Sequence, residues 1–144
     1  MSVVVRSVQE SDIGAIESID EEVTGLYRPG HWEAHVGYYL MRDPESALVA
    51  EIDGKVVGFV FGDIRGWEFG LATPTGWLEV IGVAPAQQGK RVAQALVDAL
   101  LAHWRRRKVA SARTMVEGKD GELSRFMQRV GMKPVPATVL EMRL

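Results

Sequence analysis

The stretch Trp77-Leu78-Glu79-Val80-Ile81-Gly82-Val83 is almost continuously apolar and carries a single charge. A strand that is apolar on both faces must be covered on both, so these residues predict the middle of a sheet. Behind them, Val92, Leu96, Leu100 and Trp104 recur at i, i+4 through a helix predicted from Gln88 to about Arg107, with Pro85 just ahead of it. A strand-like Ala112–Val116 follows. Strand, long helix and strand in that order make a crossover, which adds a parallel pair to the sheet by the right-handed rule. In 144 residues there is room for one such sheet, so a single domain over 1–144 is expected.

The remaining elements fit around that crossover. Ser2–Val8 is short and β-branched and predicts a strand; Ser11 and Asp12 then cap a helix with Ile13, Ile16 and Ile19 on one face, ended by the acidic Asp20-Glu21-Glu22. A turn at Tyr27–Gly30 leads to a second helix from about Trp32 to Met41, closed by Asp43-Pro44. Ser46–Ile52 and Val56–Ile64 flank Asp53-Gly54, a hairpin signal. Arg65–Gly76 predicts a loop, Gly121–Val130 a helix stopped by Gly131, and Val139–Met142 a last strand. The class is mixed α+β: a mostly antiparallel central sheet with one parallel strand pair, flanked by about four helices.

Charge is divided along the chain. Residues 1–85 carry a net −9 and residues 86–144 a net +7, against −2 for the whole. The basic half, dense at Lys90, Arg91 and Arg105–Lys108, suits a polyanionic small molecule. One cluster at a helix end is too small a footprint for nucleic acid. There is no cysteine, which excludes disulfides, thiolate metal sites and a thiol nucleophile. No apolar run reaches membrane-spanning length and no leader pattern opens the chain, so a cytoplasmic protein without membrane association is expected. His31 and His35 lie one helical turn apart but lack a third ligand in register, so no metal is expected.

The junction Val83-Ala84-Pro85-Ala86-Gln87-Gln88-Gly89-Lys90-Arg91-Val92-Ala93 leads from the buried strand into the long helix. Unpaired amides at a helix start make such a turn an anion cradle. Gly89-Lys90 lacks the earlier glycine and following Ser or Thr of a triphosphate-binding loop, and GxGxxG is absent. With Val83-Ala84-Pro85, Gln88–Ala93 and Ala95-Leu96-Val97, the chain resembles the GNAT superfamily of N-acetyltransferases, and Arg125–Met132 resembles that family's final helix.

The resemblance implies a GNAT fold in which two parallel strands splay. It implies that the backbone of Ile81, Gly82 and Val83 pairs with the pantetheine arm of acetyl-CoA, the co-substrate. Gln88, Gly89, Lys90, Arg91, Val92 and Ala93 would receive the pyrophosphate, and Asp120 would lie near the cofactor arm. Glu79 stands where family members place a general base, and burial in its apolar strand is expected to favour the neutral acid; the structural alternative is an ion pair with Arg65 or Arg113. Gly82 is expected to leave space and to mark a bulge. The acceptor would be a primary amine of a protein or small molecule, met by the acidic half, in a monomer or homodimer. Two positions depart from the family pattern: Arg91 replaces a glycine, and Met127 replaces a tyrosine and cannot donate a proton. They leave a non-catalytic acyl-CoA-binding or interaction module as the alternative. Trp32, Tyr38 and Tyr39 are expected in core or pocket wall, and Trp67 and Phe69 are candidate substrate walls.

Overall fold

The computed structural model describes residues 2–66, 70, 73–89 and 91–144. In chain order these form β1 (Val3–Ser7), α1 (Ile13–Thr24), α2 (Pro29–Arg42), β2 (Ala47–Ile52), β3 (Lys55–Arg65), β4 (Thr75–Val83), α3 (Val92–Arg106), β5 (Ser111–Thr114) and α4 (Gly121–Val130). The five strands lie in the order β1-β2-β3-β4-β5. The first three pairings are antiparallel and β4–β5 is parallel, as the crossover requires. The β2–β3 hairpin turns through Asp53 and Gly54, both at positive φ (51° and 76°), the geometry that a tight two-residue connection demands.

Strand alternation sorts the core into two layers. On β2, Leu48 and Ala50 face α3 and α4 while Val49 faces α1 and α2; on β3, Val60 points one way and Phe59 and Phe61 the other. One layer packs on Leu96, Leu100, Trp104 and Met127, and the other on Ile16, Ile19, Trp32, Val36 and Tyr39. The Trp104 ring lies over Gly76 and Gly62, where an added Cβ would stand 2.5 Å and 2.7 Å from it. Its indole N–H donates to Ser46 Oγ at 2.9 Å, and the buried His103 places Nε2 2.9 Å from Asp43 and Nδ1 2.9 Å from Glu45. The far end of α3 is thereby pinned to the turn before β2. Among the described residues, no helix is long and apolar enough to cross a membrane.

Several expected boundaries move. The acidic stretch does not end α1: the helix runs to Thr24 and stops at Gly25, which takes the left-handed conformation (φ 79°) that a glycine C-cap supplies. Asp12 does not cap α1 with its side chain; its carboxylate accepts two bonds from Arg6, both at 2.8 Å, and one from the Gln9 amide. α2 begins at Pro29, where a missing N–H costs nothing. α3 begins at Val92, because 85–87 form a separate 3-10 turn. Val139–Met142 is not a strand: every residue from Lys133 to Leu144 is exposed and outside the sheet.

Gly76→Ala forces the Trp104 ring aside and is expected to lower stability by about 1–3 kcal/mol. Gly37→Ala, in the α2 interior with nothing within 4 Å, is expected to raise it by about 0.5–1 kcal/mol; denaturant unfolding of both variants checks the pair. The hydrogen bonds from Arg6 hold the Asp12 carboxyl below its ordinary range despite burial. A depressed native pKa stabilises above the unfolded value of about 3.9 and is lost as pH falls through the native one. Asp12→Asn should therefore lose less stability than wild type on acidification below about pH 5, measured by urea midpoints against pH.

Candidate active site

β4 is where the sheet opens. Its first half pairs with β5 up to Leu78 opposite Thr114, and the Thr114 hydroxyl donates to the Leu78 carbonyl at 2.9 Å. Beyond that rung β5 ends while β4 runs on to Val83, so among the described residues no strand covers that side of Glu79–Val83. On the β3 side the register shifts: Leu78 faces Gly62 and Val80 faces Phe61, which leaves Glu79 as an extra residue. A bulge of this kind bends the strand and re-aims side chains. It lies at Glu79 and not at Gly82, whose missing Cβ makes room for Phe59, 2.7 Å from where that atom would stand.

Glu79 is therefore not desolvated as its apolar neighbours suggested. Its side chain is 29% exposed and its carboxylate pairs with the Arg65 guanidinium at 2.9 Å. Burial, then the Glu79 charge, push the nearby Tyr39 phenol far above its ordinary range. Arg65 also faces the buried Asp63 at 3.6 Å, which accepts from Tyr38 at 3.1 Å and Arg42 at 3.3 Å. Trp32 and Tyr39 are core as expected, whereas Tyr38 is 48% exposed and contributes mainly its hydroxyl.

A cleft of about 360 Å³ opens between α1, α2 and β4, with Glu79–Gly82 as one wall and Asp20, Trp32, His35 and Phe59 among the others. Arg28 closes on Asp20 at 2.6 and 3.1 Å and holds that carboxyl below its ordinary range. His31 and His35 stack at 4.1 Å, and His35 Nδ1 sits 2.7 Å from the His31 carbonyl, so that nitrogen carries the proton and donates. Burial, then repulsion from His35 and Arg28, lower the His31 pKa, so its ring is neutral near pH 7. Among the described residues, no three metal-ligating side chains gather.

At the other end of β4, a second cleft of about 300 Å³ is lined by Val83, Gln87–Gly89, Arg91–Gln94, Phe126 and Arg129. The turn passes through Gly89 (φ 82°) and Arg91 (φ 62°), and no side chain caps the first amides of α3. Gln87 Oε1 is buried there without a partner. These uncapped amides, with Arg91 and Arg129, form a donor set for an anion. Lys90, Trp67 and Phe69 lie outside the described residues.

Ile81, Gly82 and Val83 form the open edge that joins the clefts, and Gln88, Gly89, Arg91, Val92 and Ala93 come together in the second one. Asp120 caps α4 by accepting from the Leu123 amide at 3.1 Å and lines a further depression with Met115 and Lys119. Met127 is buried in the core. Sequence reasoning missed Arg129 and Phe126 as cleft residues and Tyr39 as a neighbour of Glu79. The four-residue spacing of Arg125 and Arg129 on α4 was the available signal for the first of these.

A model of the Acetyltransferase (GNAT) family matches residues 14–131. Mycothiol acetyltransferase of Propionibacterium freudenreichii subsp. shermanii is 33% identical over 98 residues, 67% of this chain and 30% of that protein. The chain thus covers under a third of that curated relative's length. Aminoglycoside N-acetyltransferase AAC(6')-Iy, solved in complex with CoA, superposes with a TM-score of 0.85 at 17% identity, covering 99% of this chain and 95% of the other. Ard1 from Thermoplasma volcanium does so with a TM-score of 0.77 at 24% identity, covering 91% and 82%. At such identities the structural likenesses establish the fold.

Arg91 is the strained point of this site. A side chain in the left-handed region costs about 1–2 kcal/mol, and glycine removes that cost at some loss of unfolded-state advantage. Arg91→Gly is therefore expected to raise the unfolding free energy of the ligand-free protein by about 0.5–1 kcal/mol, read from denaturant midpoints.

Proposed function

Because the chain belongs to the GNAT acetyltransferase family, we propose that it is an acetyl-CoA-dependent N-acetyltransferase acting on a primary amine by direct attack. The observation that carries this reading is the parting of β4 from β5 at Leu78, immediately before the extra residue Glu79. It leaves one strand edge with a cleft of about 360 Å³ at one end and one of about 300 Å³ at the other.

In this reading the free backbone groups of Ile81, Gly82 and Val83 take the pantetheine arm as a substitute strand. The amides from Gly89 to Ala93, with the charges of Lys90, Arg91 and Arg129, hold the pyrophosphate. Glu79 reaches the first cleft from the bulge, where Arg65 fixes its orientation and leaves a carboxylate lone pair to accept a proton directly or through water. The thioester supplies the acyl group: a nitrogen–carbon bond forms as the carbon–sulfur bond breaks. The amine's proton passes to Glu79, and the departing thiolate takes a proton from water because buried Met127 has none to give. That same methionine favours the second reading, an acyl-CoA-binding module without catalysis. Protection by CoA against heat without thiol release across an amine panel would select it.

Glu79→Gln keeps the shape but cannot accept a proton. With its acceptor in hand, kcat should fall by about 10²–10⁴ while acetyl-CoA affinity, followed by calorimetry, stays unchanged. A variant with wild-type kcat and an unaltered pH profile would reduce Glu79 to an ion-pair partner of Arg65.

A further inference from the structure

Asp63 on β3 is 2% exposed and takes no part in the reaction proposed above. A carboxylate removed from water in this way needs several donors. They come from two elements. On α2 the Tyr38 hydroxyl donates to it at 3.1 Å and Arg42 Nε at 3.3 Å, and on its own strand Arg65 Nε stands 3.6 Å away. Tyr38 and Arg42 are one helical turn apart and Asp63 and Arg65 two residues apart on a strand, so each pair shares a face. Arg65 then reaches Glu79 with Nη2 at 2.9 Å. The result is a row of alternating charge, Arg42, Asp63, Arg65 and Glu79, running from α2 through β3 to the bulge of β4.

A base locked to a guanidinium alone is a poor base. An opposite charge this close favours the carboxylate form and weakens it as a proton acceptor by about 1–3 pH units. Orientation and basicity are then in conflict, because the contact that aims Glu79 also holds its anion. A second carboxylate against the same guanidinium resolves the conflict: it divides the attraction of Arg65, and its own charge opposes the anion of Glu79. Arg42 compensates the burial of Asp63 from the far side, but its side chain is 49% exposed and partly screened by water, so Asp63 keeps charge to set against Arg65.

We propose, resting on the reading of Glu79 as general base, that Asp63 is a positioning residue for that base: it anchors Arg65 from behind and divides its charge, so that Glu79 is aimed into the cleft and still accepts a proton. The other titratable groups about Glu79 are the Tyr39 phenol on α2 and, around the shared cleft, Asp20, Arg28, His31 and His35. Asp20 and Arg28 close on each other at 2.6 Å, which cancels most of their effect at Glu79.

The Glu79 carboxyl can be titrated in the ligand-free protein by carbon-13 NMR, its signal identified by its loss in Glu79→Gln. Asp63→Asn keeps the shape and an oxygen for Tyr38 but removes the charge, so Arg65 acts on Glu79 undivided. The titration is expected to move about 1 unit towards lower pH. Arg42→Gln, at a half-exposed position, strengthens the hold of Asp63 on Arg65 and is expected to move it the other way; it decides the matter should the first variant unfold. In an Arg65→Gln background, Asp63→Asn should move the titration far less. With acetyl-CoA and an amine that the panel selects, Asp63→Asn should lower the kcat of thiol release by up to about tenfold with the KM for acetyl-CoA unchanged, and its acidic limb should follow the titration. A titration unmoved by either variant, or moved as far by Asp63→Asn when Arg65 is absent, would overturn the proposal alone, provided Glu79→Gln still loses activity. Wild-type kcat in Glu79→Gln would overturn the base and the proposal together.

Discussion

The one constraint on which the site depends is that β4 cannot keep both neighbours along its whole length. Up to Leu78 it is paired on both sides; past that point it gains a residue against β3 and loses β5. The two events are coupled physically, because an extra residue increases local twist and bend and so swings the rest of the strand out of reach of a straight neighbour. The α3 crossover that follows must then start from a displaced strand end. Its first amides consequently open beside the free edge and not over the middle of the sheet. Edge, cradle and bulged carboxylate are three results of one backbone irregularity.

The division of charge along the chain becomes a division in space. The acidic half supplies α1, α2 and the walls of the first cleft, and the basic half supplies α3, α4 and the second. Acids in the first cleft are not left bare: Asp20 is closed by Arg28 and Glu79 by Arg65. Buried or half-buried carboxylates need such partners, since an uncompensated one would neutralise or destabilise the fold. In the second cleft the balance is reversed, with uncapped amides, Arg91 and Arg129 facing no carboxylate among the residues that line it. Such a surface is costly when empty and favourable once an anion arrives.

Local pattern made the architecture legible. The two-sided apolar strand, the i, i+4 helix and the Asp53-Gly54 hairpin each rest on period or turn chemistry, and each is present in the structure. What the pattern could not carry was anything set by a partner across space. Glu79 among Trp, Leu, Val and Ile reads as buried, but a bulge is a mismatch between two strands and leaves no mark in either one alone. Gly82 reads as space for a ligand, whereas the space belongs to Phe59. Asp120 sits at a helix start, and its capping bond to Leu123 follows from that position. Val139–Met142 has the alternation of a strand but no strand partner among the described residues.

The two ends of α3 are held in different ways. The start of the helix has a left-handed arginine as its cap residue, no side-chain acceptor for its amides and the buried, unpartnered Gln87 oxygen beside it. Each costs stability, and each persists only where surrounding structure holds it. That restraint comes from the opposite end, where Trp104 is wedged on Gly62 and Gly76 and bonded to Ser46, and His103 bridges Asp43 and Glu45. Leu96 and Leu100, fully buried between, make the helix a rigid strut from anchor to cradle. A helix fixed in this way cannot retreat to relieve its uncapped end. Under the proposed function that order would be in place before binding, the condition under which a backbone anion site binds without a further cost for its own assembly.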